Sequence, residues 1–107
     1  MKYCKVVAIM NVTDYNVLHV PIQQMDVPGV SVSMVKGFGD CVNSFSPYGF
    51  SDNMKVEIYT TAEQAEAIAA ELAALGDQLT EGGGVVAIEP VQELLNVRKL
   101  ADEIKGD

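Results

Sequence analysis

Between Thr60 and Gly76 the apolar residues return every third or fourth position, at Ala65, Ile68, Ala69, Leu72 and Ala73. That spacing predicts a helix with one apolar stripe and a polar back, which has to bury its stripe against a second layer. Thr60 with Glu63, or Thr61 with Gln64, reads as a capping box at its start, and Gly76 as its C-terminal stop. A one-sided helix of this kind needs a sheet beneath it, and the remaining segments supply strands. Tyr3 to Met10 (YCKVVAIM) is a nearly continuous apolar run, suited to the middle of a sheet. Val30-Ser31-Val32-Ser33-Met34-Val35-Lys36-Gly37 alternates with period two, as does Lys55-Val56-Glu57-Ile58-Tyr59. Val85-Val86-Ala87-Ile88 makes a fourth strand.

A second helical pattern runs through Tyr15, Leu18, Ile22 and Met25, with Thr13 or Asp14 as N-cap. Pro21 inside it should kink or shorten the helix, and Val27-Pro28-Gly29 ends it. The order of elements is β-α-β-β-α-β. This is an α+β ferredoxin-like split motif, with an antiparallel sheet and both helices on one face. The other face carries apolar groups that self-association would cover. Residues 89–95 read as a short helical turn with Pro90 near its first position. Residues 96–98 read as a brief extended piece, and 100–104 as a last helical turn in a polar tail, 99–107. Residues 40–53, rich in Ser, Asn, Gly and aromatics without period, form a long loop of the functional kind. The 107 residues suit one domain, 1–107.

Charge narrows the partners. The formal net charge is −8, which argues against nucleic acid and against anionic membrane surfaces, both of which demand clustered Lys and Arg. Arg98 is the single arginine, so an anion site here has few contributors. Cys4 and Cys41 are too few to staple a secreted fold. No signal peptide opens the chain and no apolar run reaches spanning length, so a cytoplasmic location is expected.

Two glycine clusters stand near strand ends, Gly37-Phe38-Gly39 and Gly82-Gly83-Gly84. Successive unhindered amides in such turns can form an anion-binding concavity. For either cluster alone, plain turn punctuation is the better reading. Together with Arg98, whose guanidinium can fork onto a phosphate, they point to an anion site; a surface ion pair is the other role open to Arg98. Lys36 is a further anion candidate. No catalytic set appears: no serine or cysteine is marked as a nucleophile, and His19 is the chain's single histidine. Asp40, Asp52, Glu57 and Glu81 match no dedicated metal cage.

The ordered set of motifs resembles the PII signal-transduction proteins. Val35-Lys36-Gly37-Phe38-Gly39 is similar to their second strand, Lys55-Val56-Glu57-Ile58 to their third, and Gly82 to Ala87 to their B-loop and fourth strand. Pro90 to Arg98 resembles the segment leading into their C-loop. The resemblance implies a non-catalytic homotrimer that binds adenine nucleotide (ADP, AMP or ATP) in three clefts between subunits. The loop after Gly39, the T-loop, would then meet a partner such as a membrane transporter. It further implies that Ile9, Ser31, Glu57 and Tyr59 lie around adenine and ribose. Gly37, Phe38 and Gly39 would approach the phosphates, Gly82, Gly83 and Gly84 would wrap them, and Arg98 would reach them across the subunit boundary. Asp40, Cys41, Ser46, Tyr48 and Phe50 would belong to the partner-binding loop.

Departures from the pattern carry information too. The B-loop lysine is Val85 here and the first C-loop arginine is Asn96, so triphosphate should lose more than mono- or diphosphate. Asp40 replaces a basic residue. The T-loop glutamine and lysine that hold 2-oxoglutarate are Cys41 and Asn53, which argues against nitrogen sensing through that ligand. Tyr48, in Ser46-Pro47-Tyr48-Gly49, is not in the context of the family's modified tyrosine. A short loop with an altered B-loop resembles the carboxysome-associated PII-like proteins, which bind ADP and bicarbonate. A bicarbonate site beside a diphosphate would draw on Arg98, Lys36 and backbone amides. Two other classes compete. A small ferredoxin-like hydrolase of phosphate esters or acyl phosphates would use Arg98 and Asn96. A CutA-like metal-responsive trimer would use Cys41, His19 or the acids.

Overall fold

The computed structural model describes residues 2–12, 14–37, 51–80 and 83–106. Seven elements follow one another: β1 (Tyr3–Met10), α1 (Tyr15–Gln23), β2 (Val30–Gly37), β3 (Ser51–Thr61), α2 (Ala62–Leu79), β4 (Gly84–Val91) and α3 (Val97–Lys105). The four strands form one antiparallel sheet in the order β2-β3-β1-β4. The apolar run of Tyr3–Met10 therefore sits inside the sheet, between β3 and β4. This is the ferredoxin-like βαββαβ arrangement, extended by α3.

Strand alternation divides the sheet into two faces. Val6, Ala8 and Met10 of β1 and Met54, Val56 and Ile58 of β3 lie on one face. There they form a single buried cluster with Leu18 and Ile22 of α1 and Ala65, Ile68 and Leu72 of α2. Both helices thus cover the same face. Tyr3, Lys5, Val7 and Ile9 of β1 point to the other, which no helix among the described residues covers.

Some local expectations hold and others are corrected. Asp14 is the N-cap of α1, accepting the Asn16 N–H at 2.9 Å. Pro21 lies within the helix, which ends two residues later. At α2 the N-cap is Thr61, and no side chain caps it; Thr60 instead sits buried, its Oγ1 donating to Gln64 Oε1 at 3.3 Å. Gly76 does not end α2. A Cβ there would lie 3.1 Å from Met10 Sδ, so the missing side chain lets the helix lie close on β1, and the helix runs on to Leu79. Residues 89–91 continue β4 rather than starting a helical turn. Pro90 is tolerated because β4 is an edge strand, with only β1 demanding hydrogen bonds. Of residues 96–98 only Asn96 is extended; Val97 and Arg98 open α3. Asn96 caps α3, its Oδ1 accepting from Lys99 N at 3.0 Å, and most of the tail 99–107 is helix. Of residues 40–53, expected as a loop, Ser51, Asp52 and Asn53 belong to β3, and 40–50 lie outside the described residues.

Candidate functional site

Among the described residues, the face left open by the helices collects Ile9, Ser31, Gly37, Glu57 and Tyr59 of the candidates. Register places Ile9 between Lys55 on β3 and Val85 on β4, and Val7 between Glu57 and Ala87. Ser31 stands opposite Glu57, Ser33 opposite Lys55, and Gly37 opposite Ser51. With side chains alternating, Ile9, Ser31, Glu57, Tyr59, Val85 and Gly37 all fall on this one face. Along it, Tyr59, Glu57 and Lys55 descend β3 toward the end where β2 finishes in Gly37 and β4 begins at Gly84. Tyr59 is 44% exposed and Val85 64%, so the face offers apolar surface at both ends.

Four charges occupy the middle of that face. Lys5 Nζ lies 3.0 Å from Glu57 Oε2 and 3.6 Å from Glu89 Oε2, and Lys55 Nζ lies 3.8 Å from Glu57 Oε1. The hydrogen bond from Lys5 holds the Glu57 carboxyl below the usual carboxylate range, against the opposing effect of partial burial. The same hydrogen bond raises the Lys5 ammonium above its ordinary value. Sequence reading had marked Glu57 but missed Lys5, Lys55 and Glu89 as its partners. A signal was available, because Lys5 interrupts an otherwise apolar strand at the position that alternation sends to the uncovered face.

Gly83, of the second glycine cluster, is held by Thr80. Its Oγ1 donates to the Gly76 carbonyl at 2.7 Å and accepts the Gly83 N–H at 2.9 Å, tying the entry to β4 to the end of α2. Gly84 has φ +138°, and a Cβ there would meet the Ile9 carbonyl oxygen at 2.5 Å. Only glycine suits that position. A cavity of about 260 Å³ lies behind the turn, on the helix side, among Met10, Leu72, Gly76, Asp77 and Thr80. It combines apolar walls with a carboxylate and the carbonyl end of α2, which is the wrong sign for an anion.

Two cationic candidates are placed elsewhere. Lys36 points to the helix side of the sheet, where its Nζ pairs with Asp52 Oδ1 at 3.0 Å, both groups well exposed. Arg98 lies in the first turn of α3. Because β4 runs from Gly84, opposite Met10, to Val91, opposite Tyr3, α3 starts beyond the end of the sheet remote from the glycines. Within one chain Arg98 is therefore not brought to Gly83, Gly84 or Gly37. Phe38, Gly39, Asp40, Cys41, Ser46, Tyr48, Phe50 and Gly82 lie outside the described residues. Among the described residues no three His, Cys, Asp or Glu side chains gather as metal ligands, and no helix is long and apolar enough to cross a membrane.

A split βαββαβ sheet with one uncovered face, and glycines ending β2 and opening β4 at the same end of the sheet, defines a class of small ferredoxin-like domains. The family model described as nitrogen regulatory protein P-II matches residues 3–100. The chain belongs to the PII family, whose members are non-catalytic signalling proteins, typically homotrimeric and typically adenine-nucleotide-binding. Among solved structures it is similar to Arabidopsis thaliana PII bound to citrate. The two are 26% identical, with a TM-score of 0.69, over 91% of this chain and 84% of that one. No curated protein sequence matches it.

Proposed function

We propose that this chain is a PII-like regulator that binds adenine nucleotide (ADP, AMP or ATP) in clefts between the subunits of a homotrimer. Bicarbonate is the candidate second ligand beside the phosphates. Occupancy changes the order of the loop after Gly39, and with it the fit to a partner, for which a membrane transporter is the leading candidate.

The observation that carries this reading is the convergence on one face. Tyr59 and Glu57 follow one another down β3, with Ser31 beside Glu57 on β2, toward the end of the sheet where β2 finishes and β4 begins. Such a row offers, in sequence, an aromatic and a hydrogen-bonding carboxylate for base and ribose, and then bare backbone for phosphates. Self-association is supported by the uncovered face and by the apolar residues left exposed after β4. Leu95, Val97, Leu100 and Ile104 are all exposed, and the last three share one side of α3. Arg98 reaches a phosphate only from a neighbouring copy, in keeping with a cleft between subunits.

Calorimetry with AMP, ADP, ATP and cyclic AMP, with and without bicarbonate, tests the reading. Binding of at least one of them is expected. No binding by any of the four at millimolar ligand sinks it. Light scattering coupled to size exclusion should give the mass of three chains.

A further inference from the structure

A phosphate on the open face needs a cation, and all seven lysines and arginines of the chain lie in described segments. Taking them in turn leaves one. Lys2 precedes β1, and its carbonyl accepts from Ala62 N at the end of the sheet remote from the glycines. Lys5 is held between Glu57 and Glu89. Lys36 points to the helix side and is paired with Asp52. Arg98, Lys99 and Lys105 are on α3, which starts past the remote end. Lys55 alone stands on the open face at the glycine end. It is directly opposite Ile9, whose other neighbour is Val85, one residue after Gly84. Two strand spacings separate the Lys55 and Val85 backbones, about 10 Å.

Resting on the nucleotide reading above, we propose that Lys55 is the phosphate-binding cation contributed by the same chain. Its present attachment is the loosest in the open-face cluster, 3.8 Å from Glu57 Oε1. Glu57 does not depend on it, since Oε2 keeps Lys5 at 3.0 Å. When the Lys55 ammonium turns toward a phosphate, Glu57 Oε1 is freed to accept from a ribose hydroxyl or an adenine amino group. One swing of a four-carbon stem thus converts a closed charge cluster into a site with a cation at one end and an acceptor at the other. The remaining pair, Lys5 with Glu57, stays intact as the hinge of the arrangement.

The experiment compares ADP and adenosine as probes against the wild-type chain and the variants K55Q, K55R and K36Q, with thermal melts confirming that each is folded. Expected are a loss of about tenfold or more in ADP affinity for K55Q, adenosine affinity within about twofold of wild type, recovery in K55R, and K36Q indistinguishable from wild type. Added salt should weaken ADP binding more in wild type than in K55Q. Unchanged ADP affinity in K55Q, or an equal loss for adenosine, overturns the assignment of Lys55 while leaving nucleotide binding standing. Absence of ADP binding by the wild-type chain removes both.

Discussion

The turn into β4 gives the most sharply quantified test, because three glycines of this chain differ in what a Cβ would meet. At Gly84, φ is +138° and the added carbon would sit 2.5 Å from the Ile9 carbonyl oxygen and 3.2 Å from Met10 Cα. Both neighbours are backbone of the central strand, so neither can yield without opening the β1–β4 ladder. A backbone conformation reserved for glycine costs roughly 1–3 kcal/mol for an L side chain, and the contact adds to it. At Gly76 the added carbon meets the flexible end of Met10 at 3.1 Å. There the gain from replacing a helix-interior glycine, up to about 1 kcal/mol, offsets the repacking. At Gly29 nothing lies within 4 Å, and alanine should be neutral or stabilise by up to about 1 kcal/mol through the unfolded chain. Thermal melts at one fixed protomer concentration should therefore order the variants G29A, G76A, G84A from most to least stable. The last should fall by about 10 °C or more, taking about 4–8 °C per kcal/mol for a domain of this size. A Gly84→Ala variant that melts with the wild type would refute the steric account of the turn, and with it the claim that β4 enters the sheet as described.

Two further predictions concern charge. Glu57 has its pKa depressed by Lys5, so its ion pair contributes stability above the unfolded carboxylate pKa, and that contribution is lost as pH falls through the lower folded value. The raised Lys5 value works in the opposite sense, its contribution being lost only as pH rises through the folded lysine pKa. The stability gap between wild type and Glu57→Gln, from urea midpoints, should be widest near about pH 7 and close below about pH 4; a gap independent of pH would mean the pair contributes nothing. Arg98→Ala should weaken ADP more than adenosine if a neighbouring copy's Arg98 reaches the phosphates, and equal affinities in wild type and variant would take Arg98 out of the site.

Elements whose periodicity was decided by one buried face were legible from the chain alone. Leu72, Ile68 and Ala65 announce α2 because each is buried on the same side. Val56 and Ile58 announce β3 for the same reason in period two. What failed were readings that treated Gly or Pro as punctuation. Gly76 is a contact with Met10 rather than a stop, and Pro90 lies in a strand because that strand is at the sheet edge. Neither fact exists until the tertiary neighbours are in place. The same holds for Val97 and Arg98, which read as extended in isolation but open a helix, capped by Asn96, whose apolar side, Val97, Leu100 and Ile104, is left exposed among the described residues.

The site was legible as a set of residue types but not as a geometry. Sequence could nominate Arg98 as the single arginine, Lys36 as a cation beside a glycine cluster, and Glu57 through the family resemblance. It could not say on which face Lys36 falls, because a strand's two faces are distinguished only by which one the helices cover. Once Val6, Ala8 and Met10 are seen beneath α2, parity fixes every other residue of the sheet: Lys36 goes with the helices, Lys55 with Gly37 and Val85 on the open face. The consequence is chemical. A chain of net charge −8 has placed on its open face four charges that balance, Lys5 and Lys55 against Glu57 and Glu89. A balanced cluster can be covered by a neighbouring copy at lower desolvation cost than an unpaired charge. It also leaves an entering phosphate no unpaired cation of the same chain on that face until one pair opens, and the pair at 3.8 Å is the one that opens most cheaply.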